Sequence, residues 1–324
     1  MAKTKYLRVN ARNPEPAIIE QAARYIKAGE LVAFPTETVY GLGADAFQPN
    51  AVEKIFLAKG RPAENPLLVH VSNLAQVQKL TVEVSIIASK LMNRFWPGPL
   101  SIILPALSAV PDIVRGGQRG VGLRMPSHPV ALALIEATGP LAAPSANLYG
   151  RPSPTNAEHV RQDLDGKMAA VLDAGDTGAG LESTVIDLTS AKCRILRRGG
   201  TSIETLEEFL GVKIELARVE NLPRYKTKIQ VVLSDDQADY DIKLNAFLAE
   251  GLVLGVVHIN NCSEHKIEKV KRIFNLSLSG SGMSLYSIIR EAEENGIATL
   301  LIAPFDQKLA GGALMDRLRR AASQ

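Results

Sequence analysis

The chain predicts an α/β protein of two unequal domains, a mixed twisted sheet with helices followed by a smaller, Rossmann-like α/β domain. Three observations carry this. At 324 residues the sequence exceeds what one hydrophobic core usually holds. Up to about residue 210, apolar runs of strand length mix with segments of helical period, without the strict alternation of an all-parallel sheet. After a stretch with no period, strand and helix patterns resume at residue 230. The expected organisation is a domain over 1–210, a linker over 211–229 and an accessory domain over 230–324.

Along the chain, Ile18, Ile19, Ala22, Ala23 and Ile26 recur at helical spacing behind Pro14 and Pro16, and Gly29 stops the pattern. Residues 31–34 form a short apolar strand that runs into Pro35. The Thr-rich segment after it, punctuated by Gly41 and Gly43, reads as a loop leading to a helix over 50–59. Further strands are expected over 67–71, 100–104, 121–124, 170–172, 184–188 and 194–196, with helices over 85–95, 129–137, 157–164 and 204–210 between most of them. Charges and single apolar residues around Pro223 show no period, which marks the linker. In the second domain, strands are expected over 230–233, 252–258 and 298–302, and helices over 241–250, 264–274, 284–294 and 313–321.

Composition narrows the function. A hydrophobic content of 46% supplies two cores, and 37 Lys and Arg against 34 Asp and Glu leave a formal charge of +3, too small for nucleic acid or membrane to be the main partner. Cys193 and Cys262 are too few for a disulfide framework or a cysteine zinc site and fit a reducing cytosol. Residues 1–12 are polar and basic, and no apolar run approaches a membrane span, so a cytoplasmic protein is expected. No bound protein metal is expected: five histidines form no cluster, and His258, Cys262 and His265 lack a fourth ligand. Walker-type, Gly-x-Gly-x-x-Gly and Gly-x-Ser-x-Gly signatures are all missing.

The candidate chemistry lies elsewhere. From Lys59 to His70, two cations and the Asn65 amide share a stiff turn before an apolar strand, an arrangement suited to a polyphosphate. Arg61 can fork onto two oxygens, and Lys59 supplies a mobile point charge. Thr36, Glu37, Thr38 and Tyr40 put three hydroxyls and a carboxylate beside Gly41 and Gly43, residues that permit turns or close approach. Their ordinary role would be bonding to nearby backbone. His70 is equally the kind of residue that sits satisfied in a core, and Arg124 the kind that makes a structural ion pair. Ser145, Asn147 and Ser153 offer donors on a turn-rich segment where Thr155 can cap the next helix, and Ser183 reads as a binding hydroxyl.

Taken together, Phe34-Pro35-Thr36-Glu37-Thr38-Val39-Tyr40-Gly41-Leu42-Gly43, Lys59-Gly60-Arg61 with Asn65-Pro66 and His70, Trp96-Pro97-Gly98-Pro99, Arg124-Met125-Pro126, Pro144-Ser145-Ala146-Asn147, Glu182-Ser183-Thr184 and Leu196-Arg197-Arg198-Gly199 closely resemble the YrdC-like threonylcarbamoyl-AMP synthases. The tail, with Leu285-Tyr286 and residues 311–322, resembles the accessory domain of the family's long form. The resemblance implies a nucleotidyltransferase that joins L-threonine, bicarbonate or CO2, and ATP into threonylcarbamoyl-AMP. Pyrophosphate is released, and the product feeds tRNA threonylcarbamoyladenosine modification. It also implies Mg2+ with the ATP, downstream tRNA-modification proteins as partners and a weak contact with RNA.

Carried over position by position, Thr38, His70, Arg124, Ala143 and Ser183 match family positions around threonine, and Arg61, Asn65, Ser145, Ser153 and Arg197 match positions around ATP. Lys59 and Arg61 are expected to stabilise phosphate charge as the catalytic pair, and Arg124 to hold the threonine carboxylate. Gly120 departs from the family, which commonly has a Thr there in contact with ATP. Residues 222–228 read Leu-Pro-Arg-Tyr-Lys-Thr-Lys instead of the family's Lys-Tyr-Arg-His-Tyr-Ala-Pro. Two other readings stay open: a paralogue with another acyl or carbamoyl substrate, and an RNA-binding module.

Overall fold

The computed structural model describes residues 3–190, 192–217, 224–259, 269–278 and 283–322. Its contacts divide the chain into one unit over 1–149, 153–177 and 182–219 and another over 150–152, 178–181 and 220–324.

The strands of the first unit are β1 (Lys5–Arg8), β2 (Val32–Phe34), β3 (Gly41–Asp45), β4 (Leu68–His70), β5 (Leu100–Pro105), β6 (Gly120–Arg124), β7 (Leu141–Ala142), β8 (Ala170–Asp173), β9 (Thr184–Asp187), β10 (Arg194–Arg197) and β11 (Glu215–Leu216). They make one sheet in the order β1-β8-β2-β3-β7-β4-β6-β5-β9-β10-β11. Its direction is mixed, as the irregular strand and helix pattern predicts: β4 pairs parallel with β6, whereas β3 is antiparallel to both its neighbours.

Period-two burial assigns the two faces. Leu31 and Ala33 join the core containing Val52 and Ile55 of the helix Pro49–Lys59. Val32 and Phe34 point the other way, onto Ile19, Ala22 and Ile26 of the helix Pro16–Lys27 and Val130 and Leu134 of the helix Pro129–Thr138. Burial on both faces explains why the central strands read as continuous apolar runs.

The glycine-rich part of this unit departs from the sequence expectation. The segment from Gly41, expected to be loop, is strand β3, hairpinned against β2. Its glycines hid it, and they serve close approach: a Cβ on Gly43 would lie 2.8 Å from the Phe34 ring, and one on Gly41 3.3 Å from it. Gly120, the departure from the family pattern, opens β6, where a Cβ would meet Ile103 at 2.7 Å and Thr189 at 2.9 Å. Packing against these two side chains demands a residue this small.

The second unit carries β12 (Gln230–Leu233), β13 (Leu254–Ile259), β14 (Arg272–Leu276) and β15 (Thr299–Ile302), all parallel in the order β12-β15-β13-β14. The helices Gln237–Ala249, Leu285–Glu294 and Gln307–Ala322 accompany this sheet, and the last breaks at Gly311 (φ +70°). The helix expected over 264–274 is corrected in its described part. Arg272–Leu276 is a strand, because Phe274 and Leu276 alternate into the core beside β13. Residues 264–268 lie outside the described residues, as do Leu222 and Pro223 of the linker, Cys262 and His265. Tyr225 is held by a 2.7 Å bond between its hydroxyl and that of Tyr286, with the Arg320 guanidinium 4.3 Å above its ring. Among the described residues no helix is long and apolar enough to cross a membrane.

Candidate active site

Parallel pairing of β4 with β6 makes His70 the register partner of Arg124, so both side chains arrive together at the carboxyl ends of adjacent strands. Ligand crevices of α/β sheets form at such ends. The turn at Thr36 and Thr38, the segment from Arg61 to Leu68, the residues after β7 and those before β9 close around them, enclosing about 140 Å³. Of the expected site residues, Thr38, Arg61, His70, Arg124, Ala143, Ser145, Ser183 and Arg197 line this cavity; Lys59, Asn65 and Ser153 do not.

The walls are held by backbone pairing between distant motifs. Leu42 N–H donates to Pro144 O at 2.8 Å, Ala146 N–H to Tyr40 O at 2.8 Å and Tyr40 N–H to Pro154 O at 2.9 Å. Tyr40 has the ordinary structural role: it is fully buried, and its hydroxyl donates to Gly175 O at 2.7 Å. Thr155 does not cap the next helix. Asn156 does so by accepting from His159 N–H, while the Thr155 hydroxyl contacts the His159 ring.

Three guanidiniums reach the cavity. Arg124, 4% exposed, donates from Nε to Gly98 O at 3.2 Å and pairs through Nη2 with Glu37 at 2.7 Å; Glu37 in turn accepts from Ser127 N–H at 3.2 Å. Arg197 donates from Nε and Nη2 to the carbonyl and hydroxyl oxygens of Ser183, each at 3.0 Å, and Ser101 backs that hydroxyl at 2.7 Å. Arg61 donates from Nη2 to Pro66 O at 3.0 Å and lies 5.9 Å from the Tyr149 ring centre. The cavity also takes in Thr36 and Glu182, to which the family motifs assign no ligand. Glu182 accepts from the Ser153 hydroxyl at 2.7 Å, so Ser153 stands one side chain behind the wall. The signal for Ser101 was a polar residue in an otherwise apolar strand.

His70 is buried beside two of these cations. Desolvation first, then the charges of Arg124 and Arg197, push its pKa down to about 3, so the imidazole is neutral at physiological pH. Phe34 meets its ring edge-on at 6.1 Å, and among the described residues its buried Nδ1 has no hydrogen-bond partner. The depressed pKa fixes a sign. Between pH 6.5 and 3 the unfolded chain binds a proton that folded His70 refuses, so stability is lost as pH falls through that window. Between pH 7 and pH 5 the wild type should lose about 1–2 kcal/mol more than His70→Gln by urea midpoint, and equal losses would contradict the burial argument.

Lys59 is placed differently from the mobile charge the sequence suggests. It is 3% exposed, and its Nζ donates to Ser145 O and Asn147 O, both at 2.5 Å, while its own carbonyl accepts from Tyr149 N–H at 2.9 Å. Burial and then the charge of Arg61 push its pKa down to about 7, against the pull of Asp163. Charged or neutral, the amine retains enough N–H groups for both bonds. The cause lies in the helix end: Lys59 is the last residue of Pro49–Lys59, and Gly60 at φ +62° turns the chain so that Arg61, not Lys59, reaches the cavity.

Comparison with known proteins places this architecture. A Sua5/YciO/YrdC family profile described as "Telomere recombination" matches residues 24–199, and one described as "Threonylcarbamoyl-AMP synthase, C-terminal domain" matches residues 221–323. The threonylcarbamoyl-AMP synthase of Pyrococcus abyssi is 38% identical, with 94% of each chain covered; that of Bacillus subtilis is 39% identical, covering 94% of this chain and 92% of the relative. The crystal structure of P. abyssi Sua5 complexed with L-threonine matches with a TM-score of 0.90 at 37% identity, over 98% of each chain. The chain belongs to the threonylcarbamoyl-AMP synthase family, in its two-domain Sua5 form.

Proposed function

We propose that this cavity converts L-threonine, bicarbonate and ATP into threonylcarbamoyl-AMP and pyrophosphate, and that the adenylate serves tRNA threonylcarbamoyladenosine formation. The observation that carries the reading is the meeting of three guanidiniums and a buried imidazole around one small cavity. A carboxylate, a carbamate and a triphosphate repel one another, and fixed cations in a site screened from water offset that repulsion.

Each side chain has a role in this chemistry. Arg124 holds the amino-acid carboxylate, while Thr38, Ala143 and Ser183 shape the threonine pocket. His70 adds no positive charge, so it does not disfavour approach of the amino group. The neutral amine forms an N–C bond with the carbon of CO2 derived from bicarbonate, giving a carbamate and releasing a proton. A carbamate oxygen then bonds to the α-phosphorus, and the P–O bond to pyrophosphate breaks with its electron pair leaving on the pyrophosphate. Arg61 and Ser145 align the triphosphate, flanked by Asn65 and Ser153, and Arg197 stabilises charge near Ser183. Lys59 acts through the loop it holds. No protein nucleophile is required.

Mg2+ accompanying the triphosphate would supply further charge neutralisation. Glu182, a carboxylate that lines the cavity, is the side chain that would face such an ion. The mixed anhydride is reactive, which calls for acceptor proteins of tRNA modification in the cytoplasm. The formal charge of +3 allows a weak contact with RNA.

The test is an incubation with ATP, threonine and bicarbonate in which the adenylate is detected by mass. Pyrophosphate release should need all three substrates. Release that ignores threonine would favour a paralogue with another substrate, and salt-sensitive RNA binding without turnover would favour an RNA-binding module.

A further inference from the structure

Thr36 and Thr38 are both buried and both border the cavity. The Thr36 hydroxyl has one proton, and the Val39 carbonyl, which can only accept, takes it at 2.7 Å. The two threonine Oγ1 atoms are 2.8 Å apart, a distance that requires a proton between them. With that of Thr36 committed to Val39, the proton is that of Thr38. The amides of Thr38 and Val39 also donate to Thr36 Oγ1, each at a longer 3.2 Å, so they share its two lone pairs with the shorter contact to the Thr38 hydroxyl. Thr38 therefore turns only acceptor lone pairs toward the cavity. Against the donors of Arg61, Arg124 and Arg197, such an oxygen selects a ligand group that carries N–H or O–H.

We propose that Thr36 is a positioning residue that fixes the Thr38 hydroxyl as a hydrogen-bond acceptor and so determines which amino-acid donor the site admits. The inference rests on the threonine reading above, where the donor is the amine or the side-chain hydroxyl. An N–H held by Thr38 would leave the nitrogen lone pair free to form the carbamate bond.

The test is a double-mutant cycle read by calorimetry with threonine and, separately, ATP, on wild type, T36V, T36S, T38V and T36V/T38V. T36V should weaken threonine binding about tenfold, the loss of a well-made hydrogen bond, with ATP affinity unchanged. T36S should restore binding, and the double variant should bind no more weakly than T38V, because Thr36 acts through Thr38. If T36V does not fold, Thr36→Cys takes its place, its thiol being a weak partner of similar size. Wild-type threonine affinity in T36V, failure of rescue in T36S, or losses that multiply in the double variant would each overturn the proposal. With 2-aminobutyrate, which lacks the hydroxyl, a loss in T36V identifies the amine as the donor, and no loss identifies the hydroxyl. Wild-type protein that binds no threonine would count against the threonine reading itself, which separates that failure from failure of the Thr36 assignment.

Discussion

Arg124→Ala is expected to weaken threonine binding by about two orders of magnitude while ATP affinity changes little. Removing one partner of a buried, hydrogen-bonded charge pair typically costs about 2–5 kcal/mol, and the middle of that range corresponds to roughly a hundredfold or more in affinity. The geometry supports a cost of that size. The guanidinium, 4% exposed, is fixed on two sides by Gly98 O and Glu37, so it meets a ligand carboxylate already oriented. Truncation loses the clamp and also leaves the Glu37 carboxylate, 20% exposed, as an uncompensated negative charge near where a carboxylate should sit. Arg124→Lys should recover part of the loss, because a point charge cannot serve Gly98, Glu37 and a ligand together. Calorimetric titration of each ligand alone decides the matter; threonine affinity unchanged in Arg124→Ala would remove the carboxylate role.

What the sequence made legible, and what it did not, follows from the range of the interactions. The helix Pro16–Lys27 was readable because its four buried residues, Ile19, Ala22, Ala23 and Ile26, sit at helical spacing. Strand β3 was not, because its glycines are selected by the ring of Phe34 rather than by a turn. Likewise, β14 is a strand because it packs beside β13, a contact that local charge and period do not reveal. At the site, the types of residue were legible, since anionic ligands call for Arg, Lys and hydroxyls. Their partners were not: Glu37 and Arg124 are far apart in sequence, as are Ser101 and Ser183, and only the sheet order brings them together. The same limit explains Lys59 and Arg61, two positions apart and alike in charge, which a single left-handed residue sends to opposite fates.

Lys59→Met is expected to destabilise the ligand-free protein by about 2–4 kcal/mol, a loss that a side chain reaching only for phosphate would not produce. The argument is one of shared donors. One buried amine satisfies Ser145 O and Asn147 O at 2.5 Å, and methionine, of similar length, fills the space without an N–H to offer. Ser145 O keeps the Asn147 amide at 3.0 Å, which moderates the cost. A phosphate ligand predicts the opposite sign without nucleotide, because deleting an unpaired buried cation beside Arg61 would relieve repulsion. Denaturant midpoints measured without nucleotide therefore separate the two roles, and a Lys59→Met protein as stable as wild type would return Lys59 to the phosphates. Nucleotide affinity should fall too, since Ser145 lies on the cavity wall and loses its support. That loss should be no more sensitive to salt than wild-type binding, because on this reading the charge removed does not meet the ligand.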